Sequence, residues 1–307
     1  MERKIIKLGT ATMVASLPSK WIKANNLSPG DVLTVHEEGP QLLLSARKEA
    51  RRKVAKVHIS SPKEFMGRLI HTPYRFGYDR LEITFDDPSV MPLIRQFLDE
   101  TLGFEIVDQS ESACTIEMVA KGLDEEFDKL LRRSFLIIQG MLDDIVRALE
   151  EKAGEHKQHL LHDVIERERM IDKLTYFCMR VLNMRVSPPG QGHYHMVLVW
   201  ALEQIGDAVG QIAALLLDPT KDHKDIRHIR DSKDLRKDLR VAQDTIQLTA
   251  QAFKEFTSVY AKPTPEGLLR ARNTTRQARK QVLCDSQLWA PVWSLLSTID
   301  HLLILLP

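Results

Sequence analysis

Apolar positions along this chain change their period near residue 120. Before that point they alternate or fall in short runs broken by Gly and Pro; after it they recur every three or four residues. The first part predicts short strands at Arg3–Leu8 and Thr12–Leu17 about a turn at Gly9, then a helix opened by Pro18 in PSKWIKANNL. A Ser28-Pro29-Gly30-Asp31 turn follows, and then a hairpin of Val32–His36 and Gln41–Ser45 closed by Glu37-Glu38-Gly39-Pro40. Residues 54–120 alternate strand and helix signals. Strands are expected at Val54–Ile59, Arg80–Phe85, Phe104–Gln109 and Cys114–Met118, with helices at Pro62–Thr72 and Ser89–Leu102, the second closed by Gly103. This order predicts a small α+β unit with one sheet.

From residue 123 the pattern is helical to the end. Six helices are expected, at Leu123–Lys152, His156–Arg185, His193–Leu217, Asp222–Tyr260, Pro265–Leu283 and Leu288–Leu306. Breaks fall at Gly154, Ser187-Pro188-Pro189-Gly190, Asp218-Pro219, Lys262-Pro263-Thr264-Pro265 and Cys284-Asp285-Ser286. Six helices so punctuated suggest an internal duplication of three-helix bundles, 123–217 and 222–307. The fold class is therefore multidomain: an N-terminal β domain over 1–46, a basic linker over 47–53, an α+β unit over 54–120 and an all-α region over 123–307.

Two of these helices carry candidate chemistry. Glu168 and Asp172 stand four apart on one, and Glu203 and Asp207 four apart on the next, each pair among apolar neighbours. Four-residue spacing stacks both carboxylates on one helix face, where like charges repel unless a cation or a proton relieves them. Antiparallel packing would gather all four into the hard oxygen donor set that divalent and trivalent cations prefer. Spacing by itself leaves the other reading, two rows of solvated surface acids, open.

Glu168-Arg-Met-Ile-Asp172 and Glu203-Gln-Ile-Gly-Asp207 resemble the acidic motifs of the PhoU family of phosphate-signalling proteins, which bind metal clusters on three-helix bundles. The resemblance covers roughly the last 185 residues. It implies a cluster of Fe, Zn, Mn or Mg on those four acids. The second half departs from the pattern, with Arg270, Arg272, Arg276, Arg279 and Lys280 where the first half has carboxylates, and Asp300 alone on the last helix. A second metal cluster is not expected there.

At the other end, KLGTATMVASLPSKWIKANNLSPGDVLTV is similar to the AbrB/MazE (SpoVT-AbrB) family of swapped-hairpin DNA-binding domains. That resemblance implies an obligate homodimer that grips DNA. Charge agrees: residues 1–56 hold eleven Lys/Arg against five Asp/Glu, in a chain whose net charge is +1. Such a local excess suits phosphate-backbone contact. Arg3, Lys4, Lys7, Thr10 and Thr12 are the DNA-facing candidates, supported by Lys20 and Lys23.

Composition narrows the rest. With 43 % hydrophobic and 28 % charged residues, the chain fits a globular protein rather than a disordered or membrane one. Its three cysteines show no paired spacing, which argues for reduced thiols in a cytoplasmic protein with no thiolate metal site. No secretory signal is evident, and the apolar last helix is broken by polar residues and Pro291, so no membrane insertion is expected. His193 and His195 form an H-x-H without a third ligand nearby, and Tyr74, Arg75 and Tyr78 suit packing better than binding. No nucleophile motif or glycine-rich phosphate loop is present, and no catalytic residue or enzyme activity is expected.

The function expected from the two resemblances together is a phosphate-responsive DNA-binding transcriptional regulator with a metal-binding helical sensor. The alternative is a PhoU-type modulator of a phosphate ABC transporter or its signalling partner, whose N-terminal domain only dimerises.

Overall fold

The computed structural model describes residues 2–38, 40–46, 53–60, 66–120, 126–151, 154–184, 191–217, 232–282 and 289–306. The chain divides into two compact units, Met1–Lys53 and Val54–Pro307. It is mixed in class, with small β elements in the first unit and a mostly helical remainder.

The first unit is made of two ribbons and a short helix. Strands β1 (Ile6–Leu8) and β2 (Thr12–Val14) pair antiparallel, and β3 (Leu33–Glu38) pairs with β4 (Gln41–Ala46). Helix α1 (Ser19–Ala24) lies between them with Pro18 at its N-cap. The first two strands are shorter than the alternation suggested, and Gly9 turns between them at a positive φ of 73°. Among the residues of this unit whose side chains are described, none is buried. Register places Leu33 opposite Ala46, Val35 opposite Leu44 and Glu37 opposite Leu42, so one face of the second ribbon is apolar apart from Glu37 at its turn end. Most of the expected linker, residues 47–52, falls outside the described residues.

The second unit opens with a four-stranded sheet in the order β5-β6-β8-β7: β5 (Val54–Ile59), β6 (Arg80–Phe85), β7 (Phe104–Gln109) and β8 (Ala113–Met118). β5 and β6 run parallel, joined through α2 (Met66–Arg75); the other pairs are antiparallel. Leu81, Ile83 and Phe85 alternate into a core with Ile116, Ile70, Tyr74 and Ile94. Two helices differ from expectation. α2 runs on past Pro73 to Arg75, its final carbonyls taken up by the backbone N–H groups of Gly77 and Tyr78. Helix α3 (Met91–Leu98), entered through a 3-10 turn at Pro88–Val90, stops four residues early. The Tyr74 hydroxyl explains the stop: it donates to the Leu102 carbonyl at 2.9 Å and accepts from the Leu102 N–H at 3.0 Å, holding that backbone out of a helix.

The helices α4 (Phe127–Glu150), α5 (Glu155–Met184) and α6 (Gln191–Leu217) pack on one another. So do α7 (Ser232–Ala261), α8 (Pro265–Gln281) and α9 (Trp289–Leu305), and α4–α7 and α6–α9 contacts join the two sets. Leu198, Leu202, Ile205, Val209 and Ile212 of α6 are all essentially fully buried. Each contributes about 1.5–3 kcal/mol relative to an exposed position. No helix among the described residues is long and apolar enough to cross a membrane.

The α+β layer is fastened to the bundle along α5. Arg180, 3 % exposed, donates to the Tyr74 and Tyr78 carbonyls and to Asp79 Oδ1 at 2.6 Å, with its guanidinium over the rings of Tyr74 and Phe104. Arg75 of α2 lies over the ring of Tyr176, 4.9 Å from its centroid. Tyr74, Arg75 and Tyr78 thus have packing and clamping roles. Cys114 and Cys178 are buried and in no disulfide; Cys284 lies outside the described residues.

Candidate metal centre

The site begins with two glycines. A Cβ placed on Gly206 of α6 would stand 2.8 Å from Ile171 Cγ2 of α5, and one on Gly210 would stand 3.0 Å from Glu168 Cγ. Without those methyls the two helix backbones approach closely. The contacts also fix direction and register: residue 206 meets 171 while 210 meets 168, so α5 and α6 run antiparallel.

That register decides which acids meet. Asp207 falls between Glu168 and Asp172, and one carboxylate oxygen of each of these three lies within 4.8 Å of the others. Glu203, one turn earlier on α6, falls beyond Asp172 toward Tyr176 and is outside this triad. The four expected ligands are therefore three close together and one displaced by a helical turn. Antiparallel packing of two E-x-x-x-D pairs staggers them rather than matching them face to face.

The three acids are half-buried, and their electrostatics record the crowding. Burial pushes the Asp172 carboxyl up to about 8, helped by Glu168, Asp207, Glu203 and Glu100. Asp207 is pushed up to about 6 by burial, then by Glu203 and Glu168. Glu168 is raised by burial and by Glu100 and Glu203, against the attraction of Arg169. The fold thus collects negative charge in the triad, opposed at Glu168 by Arg169. Ligand atoms sharing one cation at bond lengths of about 2.0–2.6 Å stand no more than about 4–5 Å apart. Three carboxylate oxygens within 4.8 Å fit that span, and their hardness suits Mg, Mn or ferric ions best, with borderline Zn also open to carboxylate ligands. Glu168, Asp172 and Asp207 could hold a metal ion.

No protein-family model, no curated protein and no solved structure matches the chain. The site therefore stands on its own geometry.

Sequence spacing missed one acid and one base. Glu100, in the turn after α3, contributes to the raised pKa of both Glu168 and Asp172. His71 of α2 lies beside it, its pKa lowered by burial and, less, by Arg75. An acid after a short helix carries no periodic signal, and its approach to α5 depends on how the sheet packs on the bundle. Gly206 and Gly210 were missed as well, although small residues one turn apart beside the acid motif are a signal that could have found them.

The remaining candidates lie elsewhere. Arg3, Lys4, Lys7, Thr10, Thr12, Lys20 and Lys23 are all exposed on the first unit. His193 is exposed and His195 packs edge-on against Phe127; neither joins the triad. In the second helical set Asp300 accepts from Arg279 at 2.9 Å, a local ion pair beside the Trp293 ring.

Proposed function

We propose that the protein is a DNA-binding transcriptional regulator, a cytoplasmic homodimer, in which a metal-binding helical sensor reports phosphate status. The observation that carries this reading is the carboxylate triad between α5 and α6, built by two helix-thinning glycines. In this reading the six long helices are two PhoU-like three-helix bundles, and the first alone keeps the metal. Glu168, Asp172 and Asp207 hold the ion, and Glu203 stands one turn away. The ion supplies positive charge that draws α5 and α6 together. The protein side contributes oxygen donors, glycine-permitted approach and a half-buried pocket in which those charges count for more than in water.

The first unit supports the other half of the reading. Its apolar residues Ile6, Leu8, Met13, Val35 and Leu42 are each more than half exposed, so it lacks a core that a second copy would complete. Interleaved, two copies would double the basic surface of Arg3, Lys4, Lys7, Lys20 and Lys23 for phosphate contacts, with Thr10 and Thr12 at the first turn.

A second reading, a modulator that docks on a phosphate transporter or its signalling partner, is favoured by Trp200 and Val197. These sit 53 % and 42 % exposed on α6, Trp200 one turn before Glu203. Fluorescence anisotropy separates the two. The full chain is titrated onto DNA upstream of its own gene and onto scrambled DNA, with salt, phosphate and chelator varied. Tight binding with a steep log-salt slope that shifts with phosphate or chelator, and is lost in Lys4→Glu/Lys7→Glu, is the expected result. Equal, weak binding to both DNAs gives the second reading.

A further inference from the structure

The two helical sets meet where α4 packs on α7, and a cavity of about 310 Å3 opens between these two helices. Leu131 and Phe135 of α4 and Tyr260 of α7 form its apolar floor. Leu131 and Phe135 are buried, and the rings of Phe135 and Tyr260 stack with centroids 5.2 Å apart. Thr257 and Ala261 of α7 and Leu136 of α4 complete the lining, and Leu136 is 67 % exposed. This volume stands at the small end of the range for ligand pockets, about 300–1,000 Å3, which are mostly apolar with a few placed polar groups.

The placed polar groups here are two opposite charges. Asp128 and Arg132 both line the cavity, one turn apart on α4. An acid and a base at that spacing have Cβ atoms about 5–6 Å apart and pair readily on a solvated helix. Their neighbours Glu126 and Lys129 do pair, at 2.9 Å. Among the described residues neither Asp128 nor Arg132 is in an ion pair. The cavity therefore presents a carboxylate and a guanidinium side by side above an aromatic floor. A ligand bearing only a cation leaves Arg132 unmatched, and one bearing only an anion leaves Asp128 unmatched. An ammonium and a carboxylate on a single carbon meet both through charge-assisted hydrogen bonds, and the remaining substituent of that carbon falls on the floor.

We propose that this cavity binds a free α-amino acid with an apolar side chain. Asp128 receives the α-ammonium, Arg132 the α-carboxylate, and Leu131, Phe135 and Tyr260 the side chain. Because the walls come from α4 and α7, the bound amino acid braces one helical set against the other, and occupancy stabilises the folded chain. The site shares no residue with the carboxylate triad and stands whether or not the triad holds a metal.

The test is isothermal titration calorimetry on the full chain with L-phenylalanine and L-leucine, and with phenethylamine and 3-phenylpropionate. The last two keep the ring and lose one charge each. Wild type should bind at least one of the amino acids saturably, and both single-charge analogues about tenfold or more weakly than L-phenylalanine, each having lost a charge-assisted contact. Asp128→Asn and Arg132→Gln should each weaken amino-acid binding about tenfold while the melting point of the free chain stays level, since both side chains are exposed. Ala261→Phe, at the exposed end of α7, should fill the cavity and abolish binding. Either analogue binding as tightly as L-phenylalanine would overturn the assignment of the two charges and with it the proposal. So would the absence of saturable binding by wild type, or binding unchanged in Ala261→Phe. Should a variant misfold, the four ligands compared on wild type still decide.

Discussion

At Asp172 the fold holds a carboxyl among four other acids, and burial with their repulsion moves its pKa from 3.8 to about 8. The folded metal-free protein therefore binds a proton there that the unfolded chain has already released. Stability from this group is full below the unfolded value and is lost as pH rises toward 8; Asp207, raised to about 6, adds in the same direction lower in the range. With chelator present, the melting temperature of wild type should fall as pH is raised across this window. Asp172→Asn should flatten the fall and stabilise the metal-free protein by about 2 kcal/mol near pH 8, while removing metal binding. Differential scanning calorimetry over pH checks the first effect and dialysis the second. Added metal should cancel the fall in wild type, since the ion displaces the proton. A melting temperature insensitive to Asp172→Asn at every pH would mean that the acids do not crowd one another in solution.

Helices α5 and α6 make the site by how closely they lie, and the two glycines divide that task. At Gly206 an added methyl meets Ile171, a fully buried β-branched side chain that cannot swing away, so Gly206→Ala should destabilise by about 1–2 kcal/mol. At Gly210 the methyl meets the flexible stem of Glu168. Gly210→Ala should leave the melting point level, helped by the better helix propensity of Ala, yet displace Glu168 and weaken metal binding. Chelator competition beside thermal melts reads the two apart; the opposite pattern would show that helix approach does not set the donor geometry. Much at this scale was legible beforehand. The period of 3.6 announced all six long helices to within a few residues wherever they are described, and alternation announced the four strands of the sheet. The stop of α3 at Leu98 was not legible, because the Tyr74 hydroxyl that imposes it comes from another helix. Nor was the stagger of Glu203, since spacing along one helix fixes a face but not the register of its neighbour. Glu100 was invisible for the same reason: only the docking of sheet on bundle brings it near.

Across the whole molecule the two units differ in how complete they are. Val54–Pro307 closes its own core from Ile59 to Leu303, whereas the first unit has no buried residue among those whose side chains are described. Folding that unit alone would leave the ordering entropy of its residues without apolar burial to offset it. The register of β3 on β4 sets Leu33, Val35, Leu42, Leu44 and Ala46 on one face, with Glu37 opposite Leu42 at its turn end. Val35 and Leu42 are 53 % and 65 % exposed, and Ile6 and Leu8 of the first ribbon 58 % and 63 %. Two such faces from two copies would cover each other, and a charge placed on one would be buried without a partner, at a cost of several kcal/mol. Val35→Asp/Leu42→Asp should therefore convert the full chain to monomer in sedimentation equilibrium, with the second unit's melting transition unchanged. DNA affinity should fall together with its salt slope, because each monomer presents half the phosphate contacts. Lys4→Glu/Lys7→Glu should lower the salt slope without touching the assembly. A Val35→Asp/Leu42→Asp chain that stays dimeric would place the dimer contact in the second unit and leave the ribbons' apolar face for some other partner.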